Sequence, residues 1–501
     1  MNNFQSILHA IANHAKTIPD KIAIIEAETD RKCTYSELWA YIKAFSKRLI
    51  SAGVKKDFGD GYGTRVVVCC TQTIEYLITG FAIQLAGGVF IPVEKNIADN
   101  RVFEIMKETD SKIYIAMKPI FISDNVFIKI TDATLEKEMT EENDIEYSTP
   151  DTLVEIMFTT GTTGESKGVM LSQRASTTRI LSTFSAFNHN ENQVWLIPSP
   201  LSHVNGLRKA YISIFYQCTV VLLDGYMFAK SFFLAIKKYR VTILNLVSAS
   251  TEIYLQKYSD NLKEVNNQIK YISLAGSSFS KSLITSLKNI FTNSKIIELY
   301  GSTEVGGCYI DHSKNDYASF CIGYSRYDTN VVFFNEQKNN IIETNKNNPG
   351  FFAMNSDVKM LGYWKNPELT ASVTRDDYIV LSDLGYKGDD GLYYFLSRAD
   401  DIIISGGYKI APLEIEAAAN SFMGIRESAC IPVSDPIMGY VPKLFIVMEE
   451  NFLFDKNEIH KYLSAKLETT KLPRFIEEIN EIPKINNKIN RRELKNTGNQ
   501  K

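Results

Sequence analysis

Apolar and polar positions change their period several times along this chain. "FQSILHAIANHAK" (Phe4 to Lys16) places apolar residues at helical spacing, whereas "KIAII" (Lys21 to Ile25) and "TRVVVCC" (Thr64 to Cys70) are short continuous apolar runs of the kind buried strands have. "LITGFAIQLAGGVFIPV" (Leu77 to Val93) is broken by Gln84, Gly87, Gly88 and Pro92. It is short for a membrane span and predicts a buried helix, a turn and a strand. The alternation continues to about residue 330, which predicts layered α/β structure with mainly parallel sheets.

Five later runs share one form: "VWLIPSP", "TVVLLD", "VTILNLV", "IKYISLAGSS" and "KIIELYGSTE" are apolar stretches that end in small polar residues. Ligands of open α/β sheets bind at the carboxyl ends of strands, so these endings are where chemistry is expected. Residues 335–349, "NEQKNNIIETNKNNP", are polar and weakly patterned and read as a surface excursion. "SRADD" (Ser397 to Asp401) interrupts the pattern, and "PLEIEAAANSF" and "KNEIHKYLSAKL" follow with fresh elements. The boundary is therefore set at 397/398, giving a large N-terminal domain of layered α/β subdomains (1–397) and a small α+β C-terminal domain (398–501). The latter, at roughly 100 residues, is long enough to fold alone.

Composition adds exclusions. With 501 residues, more than one domain is expected. A net charge of −3 argues against a nucleic-acid binder held by charge. The N-terminus has no basic flank before an apolar core, so a cytoplasmic location without an integral membrane segment is expected. The seven cysteines are irregularly spaced, and the six histidines form no cluster. Reduced buried thiols and no transition-metal site follow.

Three stretches carry candidate chemistry. "TTGTTGESKG" (Thr159 to Gly168) follows the apolar run "VEIMF". Its glycines let main-chain N–H groups approach an anion, its hydroxyls add donors and Lys167 adds charge. Its spacing is not that of a P-loop, and such a loop alone is equally an ordinary surface turn. "ELYGSTEVGG" (Glu298 to Gly307) delivers Tyr300, Gly301, Ser302, Thr303 and Glu304 after a strand, a set that suits a nucleotide with magnesium. "YIVLSDLGYKGDDGLYYFLSRADDIIISGGYKIAPLEIE" (Tyr378 to Glu416) holds Asp383 and Arg398, which also fit as structural caps or ion-pair partners.

Together with "TYSEL" (Thr34 to Leu38), "LAGGVFIPV" (Leu85 to Val93), "PLSHVNGL" (Pro200 to Leu207) and "NKINRREL" (Asn487 to Leu494), these stretches resemble the adenylate-forming superfamily of acyl-CoA synthetases, peptide-synthetase adenylation domains and firefly luciferase. The resemblance spans nearly the whole chain. It implies that ATP and a carboxylic acid form an acyl-adenylate and pyrophosphate, and that a thiol then takes the acyl group and releases AMP.

By motif, Thr159, Thr160, Gly161, Thr162, Thr163, Gly164 and Lys167 would hold the β- and γ-phosphates. Gly276, Ser277 and Ser278 would line the adenine pocket, with Tyr300, Gly301 and Ser302 beside it and Tyr300 stacked on the base. Thr303 would meet the α-phosphate and Glu304 a magnesium ion. Asp383 would bind the ribose hydroxyls, supported by Arg398. Lys488 would enter from the C-terminal domain to stabilise the adenylation transition state, and His203 would border the carboxylate. Ser405, Gly406, Gly407, Tyr408 and Lys409 would line a thiol tunnel after rotation about Asp400.

The chain departs from the pattern at several points. Ser166 stands where proline is usual, Leu381-Ser382-Asp383 replaces T-G-D, Ser397-Arg398 replaces G-R, and "LVSAS" (Leu246 to Ser250) lacks a proline. Asn487 replaces the glycine before Lys488, with Lys484 as a second lysine nearby. No aspartate takes the place used to hold an α-ammonium, so an acid without an α-amine is implied. Arg208 reads as a surface residue or a partner for a polar acyl chain, the former being preferred. CoA is the implied acceptor. The phosphopantetheine of a free-standing acyl carrier protein is the alternative, since no carrier domain follows in the sequence. A catalytically impaired nucleotide-binding subunit and a luciferase-like oxygenase share the same motifs.

Overall fold

Local sequence rules account for many of the elements in this computed structural model, which describes residues 4–120, 125–138, 145–160, 166–187, 192–226, 228–276, 279–318, 320–485 and 488–498. At Thr160, Lys409, Ile485, Lys488 and 496–498 it describes the main chain alone. "TYSEL" is a capping box: Thr34 accepts from the Glu37 N–H at 3.2 Å, and the Glu37 carboxylate accepts from the Thr34 N–H at 3.0 Å. It starts the helix Tyr35–Ser51, whose apolar face is buried. The run from Leu77 resolves as expected into the end of the helix Ile74–Leu85, a turn, and the strand Val89–Val93, all but fully buried.

Two sheets dominate the region up to residue 398. The seven-stranded sheet has a parallel centre, in which Arg65–Cys69 lies between Val89–Val93 and Ile113–Ala116. One side of it is extended by the hairpin of β1 (Leu153–Thr160) and β2 (Ser166–Ser172), which are antiparallel, and by Gly362–Tyr363 paired to β2. α1 (Gln173–Phe187) follows directly. The fourteen-stranded sheet is parallel through Ile22–Glu26, Thr219–Leu222, β3 (Val194–Ile197), β4 (Ile243–Leu246), β5 (Tyr271–Leu274) and β6 (Lys295–Gly301). α2 (Val204–Phe215) lies between β3 and Thr219–Leu222 in the chain, and α3 (Ser248–Lys257) follows β4.

After β6 the expectation of parallel pairing fails. β6 pairs antiparallel with Gly307–Asp311, and antiparallel pairing continues through Cys321–Ser325 and the strands β7 (Tyr378–Lys387) and β8 (Tyr393–Arg398). The reason is connection length. The turn between Gly301 and Gly307 holds no helix, and only a crossover of a dozen or more residues can return a strand parallel.

The largest core is shared by the inner faces of both sheets and the helices between them, from Ile7 and Phe81 through Trp195 and Tyr211 to Phe352. Separate clusters cover the outer faces. Beyond Arg398, a five-stranded sheet of Ile403–Ser405, Tyr408–Ile410, Ile425–Asp435, Gly439–Met448 and Phe475–Glu478 carries its own core, including Ile415, Leu444 and Ile459. The excursion 335–349 connects two antiparallel strands and is mostly exposed. All seven cysteines are unpaired, and burial pushes Cys70 and Cys321 up to about 11 and Cys308 up to about 12. Among the described residues, no helix is long and apolar enough to cross a membrane.

Candidate active site

The Thr/Gly stretch is a hairpin rather than a strand-to-helix loop. Thr159 sits opposite Lys167, and Thr160 opposite Ser166. Gly161, Thr162, Thr163 and Gly164 lie outside the described residues. Gly168 is closely enclosed: a Cβ there would meet Ile156 Cγ2 at 3.0 Å and Trp364 Cβ at 3.2 Å.

The hairpin is tied to Glu304 through Tyr363. Gly362–Tyr363 pairs with β2, the Trp364 N–H donates to the Gly168 carbonyl at 2.7 Å, and the Met360 N–H donates to the Glu304 carbonyl at 2.7 Å. The Tyr363 hydroxyl donates to Glu304 Oε1 at 3.1 Å, and Lys167 Nζ stands 5.7 Å from the Tyr363 ring centre. Burial, then Glu304, raises the Tyr363 phenol, so it stays a donor. Among the described residues no cluster of three or more His, Cys, Asp or Glu comes together. A lone carboxylate at Glu304 suits magnesium, which keeps several waters and takes much of its coordination from substrate phosphates.

Buried Arg179 on α1 holds the loop between Tyr300 and Glu304 from behind. Its guanidinium donates to the carbonyls of Ser302 at 3.1 Å, Thr303 at 2.6 Å and Val358 at 2.9 Å. Sequence reasoning missed both Arg179 and Tyr363. The signal for Arg179 was the polar spacing Ser176, Arg179, Thr183 on a helix whose other face is also buried.

Tyr300, Asp383 and Arg398 form one unit. Asp383 and Arg398 face each other across β7 and β8. The Tyr300 hydroxyl donates to Asp383 Oδ2 at 2.6 Å, and Arg398 Nε stands 3.3 Å from Asp383 Oδ1. The Tyr300 ring packs 5.8 Å from Phe352 and 5.9 Å from Phe395, centre to centre. Gly276 takes φ +101°, a conformation glycine adopts readily, so its main chain can turn at the end of β5. Ser277 and Ser278 lie outside the described residues.

His203 is the N-cap of α2, half-exposed, with Nε2 3.6 Å from Glu94 Oε1. Arg208, one turn on, corrects the surface assignment. It is 4% exposed and forms a buried ion pair with Glu155 of β1, donating to Glu155 Oε1 at 3.1 Å and Ser176 Oγ at 2.8 Å. The interior of a helix between two sheets leaves no surface for it.

Ser405 and Tyr408 pair across a turn formed by Gly406 (φ +54°) and Gly407 (φ +88°). Positive φ at both central residues matches the twist of a tight hairpin. Tyr408 at its tip is 57% exposed, and Lys409 continues the strand. Asp400 lies in the single turn Ala399–Asp401 between the two sheet systems. Its neighbour Asp401 stands 3.8 Å from Arg491, which also pairs with Glu416 at 3.0 Å. The main chain of Lys488 forms a short hairpin with Ile485, and the second lysine, Lys484, pairs with Glu427 at 2.6 Å. The Lys488 side chain lies outside the described residues.

The structure thus joins Thr159, Lys167 and, through Tyr363, Glu304 in one group, and Tyr300, Asp383 and Arg398 in another. The hairpin from Ser405 to Tyr408 belongs to the other sheet.

Comparison with known sequences places two family models on the chain: AMP-binding enzyme over residues 11–364, and AMP-binding enzyme C-terminal domain over residues 414–488. A 2–succinylbenzoate–CoA ligase of Oceanobacillus iheyensis is 27% identical over 95% of this chain and 96% of its own. Among solved structures, ATP-bound MatB of Rhodopseudomonas palustris superposes with a TM-score of 0.88 at 21% identity, covering 99% of both chains. The o-succinylbenzoate CoA synthetase of Bacillus subtilis with its acyl-adenylate intermediate gives 0.84 at 22% identity, covering 98% of both. These two likenesses establish the fold.

Proposed function

The chain belongs to the AMP-binding enzyme family, and from that premise we infer that it is an AMP-forming acid–CoA ligase. It joins a carboxylic acid to AMP at the expense of ATP, releasing pyrophosphate, and passes the acyl group to CoA. The observation that supports this reading best is the contact chain from Lys167 through Tyr363 to Glu304, set beside the Tyr300–Asp383–Arg398 unit. One end offers charge to phosphates, the other a carboxylate to ribose hydroxyls.

In this reading the hairpin from Thr159 to Gly168 grips the β- and γ-phosphates. Gly276, Ser277 and Ser278 border the adenine with Tyr300, and Gly301 and Ser302 complete that wall. Thr303 contacts the α-phosphate, and Asp383 holds the ribose with Arg398 behind it. Glu304 holds magnesium, whose charge offsets the repulsion between the carboxylate and the triphosphate. His203 borders the acid's carboxylate at the mouth of α2. Lys488 supplies the second cation at the α-phosphate, and carrying it on a separate unit allows it to leave before the thiol arrives. Asp400 is the hinge, and Ser405, Gly406, Gly407, Tyr408 and Lys409 line the route of the pantetheine thiol.

The test is pyrophosphate release with ATP, magnesium and a panel of acids, followed by addition of CoA or of a phosphopantetheinylated carrier protein. The panel includes 2-succinylbenzoate and long-chain fatty acids, for which relatives are named. Release with at least one acid and AMP-coupled thioester formation with CoA are expected. Release completed only by the carrier protein overturns the choice of CoA, and no release with any acid overturns the ligase reading.

A further inference from the structure

Two neighbouring strands of the seven-stranded sheet end beside the loop that carries His203. Arg65–Cys69 and Val89–Val93 run parallel with Cys69 opposite Val93, and the Cys70 N–H donates to the Val93 carbonyl at 2.9 Å. The chain leaving each strand reaches across to the fourteen-stranded sheet. Gln72 follows the first strand and is 8% exposed. Its amide nitrogen donates to the carbonyls of Ile197 at 3.1 Å and Ser199 at 2.9 Å, and its amide oxygen accepts from the Leu201 N–H at 3.3 Å. Glu94 and Lys95 follow the second strand. Glu94 Oε1 stands 3.6 Å from His203 Nε2, and Lys95 pairs with Asp224, whose N–H donates to Glu28 Oε1 at 2.8 Å.

The loop after β3 is thereby held from the other sheet in two ways, by its main chain through Gln72 and by the His203 side chain through Glu94. The loop and the start of α2 are one piece. The His203 N–H donates to the Pro200 carbonyl at 3.2 Å, and a Cβ on Gly206 would meet the Pro200 oxygen at 2.4 Å. Fixing Ser199 and Leu201 therefore also fixes the place from which the His203 side chain leaves. That side chain makes no capping hydrogen bond to α2, and Glu94 faces it instead. Glu94 has its own support: the Cys69 thiol donates to the carbonyls of Glu94 at 3.6 Å and Lys95 at 3.7 Å, and the Lys95–Asp224 pair spans the same gap.

The Glu94 and His203 side chains are 52% and 44% exposed, so their pairing adds little to stability. Its consequence lies in direction and charge. A lone carboxylate at this mouth would repel an incoming acid. Beside an imidazole it holds one ring nitrogen and favours the charged ring.

We propose that Gln72 and Glu94 are positioning residues for His203: Gln72 fixes the loop on which the histidine stands, and Glu94 holds Nε2 so that Nδ1 is left to the acid's carboxylate. This rests on the ligase reading, in which His203 borders the acid, and adds the two residues that aim it. Neither touches the reacting atoms, and both act through the imidazole.

The experiment measures KM for the best acid, KM for ATP and kcat of pyrophosphate release in Glu94→Gln, Gln72→Leu, His203→Ala and the Glu94→Gln, His203→Ala double variant. Contact with the acid in ground and transition state alike is expressed in KM. Glu94→Gln should raise acid KM roughly 2- to 5-fold, the size of a half-exposed ion pair, with a smaller change in kcat and in ATP KM. Glu94→Asp should keep part of the effect. Gln72→Leu should raise acid KM on the order of 10-fold, because three hydrogen bonds to the loop are lost. In the His203→Ala background, Glu94→Gln should change nothing further. A lower acid KM in Glu94→Gln would mark a plain repelling charge and overturn the proposal, as would an equal effect of Glu94→Gln with and without His203. A readout independent of turnover is the rate at which diethyl pyrocarbonate modifies His203, followed by peptide mass spectrometry with the exposed His460 as internal reference. The reagent takes the neutral ring, so Glu94→Gln should speed modification of His203 a few-fold relative to His460. An unchanged ratio overturns the role of Glu94. No pyrophosphate release with any acid overturns the ligase reading instead, and the modification rate then still decides whether Glu94 holds His203.

Discussion

The guanidinium of Arg179 donates to the main-chain carbonyl of Thr303 at 2.6 Å. A residue on a helix thereby fixes the loop that carries the proposed α-phosphate and magnesium contacts. The same guanidinium also reaches Ser302 and Val358, so it ties that loop to the segment leading to Tyr363.

Arg179→Met leaves three buried carbonyls without their charged donor. The expected cost is about 1.5–3 kcal/mol of stability, the range for hydrogen bonds to charged groups. Because Thr303 and Glu304 would lose their fixed aim, kcat for pyrophosphate release should fall on the order of 10- to 100-fold, well beyond any change in acid KM. Arg179→Lys should recover part of kcat. Thermal unfolding and pyrophosphate release measure the two effects separately, and a folded Arg179→Met with wild-type kcat rules out the positioning role.

Tyr363→Phe removes a single hydrogen bond to Glu304 and keeps the ring beside Lys167. Stability should change by about 0.5–1.5 kcal/mol. The carboxylate loses its orienting donor, so the magnesium concentration for half-maximal activity should rise roughly 3- to 10-fold. A magnesium titration at saturating ATP tests this, and an unmoved midpoint separates Tyr363 from the metal-holding role of Glu304.

Lys488 stands on a short hairpin outside both large sheets. Lys488→Ala should lower adenylate formation on the order of 100- to 1,000-fold, the size seen when a transition-state contact to developing charge is lost. Thioester formation from a supplied acyl-adenylate should survive. Single-turnover assays of the two half-reactions distinguish them, and equal loss in both would contradict the alternation of the two units. Lys484 is no substitute, because Glu427 already holds it.

The residues legible in the sequence were those whose role is local. The helix, turn and strand between Leu77 and Val93 and the strand endings at Gly276 and Tyr300 follow from the pattern of apolar runs. Arg208 was misread and Arg179 and Tyr363 were missed, because each acts across the fold. Arg208 meets a strand more than fifty residues earlier, Arg179 a loop more than one hundred and twenty later, and Tyr363 a carboxylate about sixty earlier. A charged residue in an irregular helix pattern carries no mark of which strand will neutralise it. The antiparallel half of the large sheet was hidden for the same reason, since strand patterns do not encode partner direction.

Glu26 provides a pH-dependent term. Its carboxylate is 4% exposed; burial opposes its charge, but Arg31, Thr29 and the Ile74 N–H together hold its pKa below the ordinary 4.5. The sign follows from linkage: a depressed folded pKa contributes stability that is present above the unfolded value and is lost as pH falls through the folded one. Arg31 also joins Glu75 at 2.6 Å, so this contact locks the start of the helix Ile74–Leu85. Urea unfolding at pH 7 and pH 4 should show a larger acid loss for wild type than for Glu26→Gln. Equal losses would remove Glu26 from the acid response.

The buried pair Glu155–Arg208 sets a final expectation, because removing one member and removing both are different perturbations. Glu155 is fully buried on β1, four residues before Thr159, and Gln84 and Ser176 also donate to it at 3.3 Å. Arg208→Met strands a carboxylate in the interior, and about 3–5 kcal/mol of stability should go with it. Glu155→Leu combined with Arg208→Met removes both charges and should recover a substantial part of that loss, since two apolar side chains need no desolvation. Recovery should stop short of complete. Gln84 and Ser176 would lose the buried carboxylate that now accepts from them. A double-mutant cycle by urea unfolding measures the coupling, and single variants that each cost under about 1 kcal/mol would show the pair to be hydrated rather than buried.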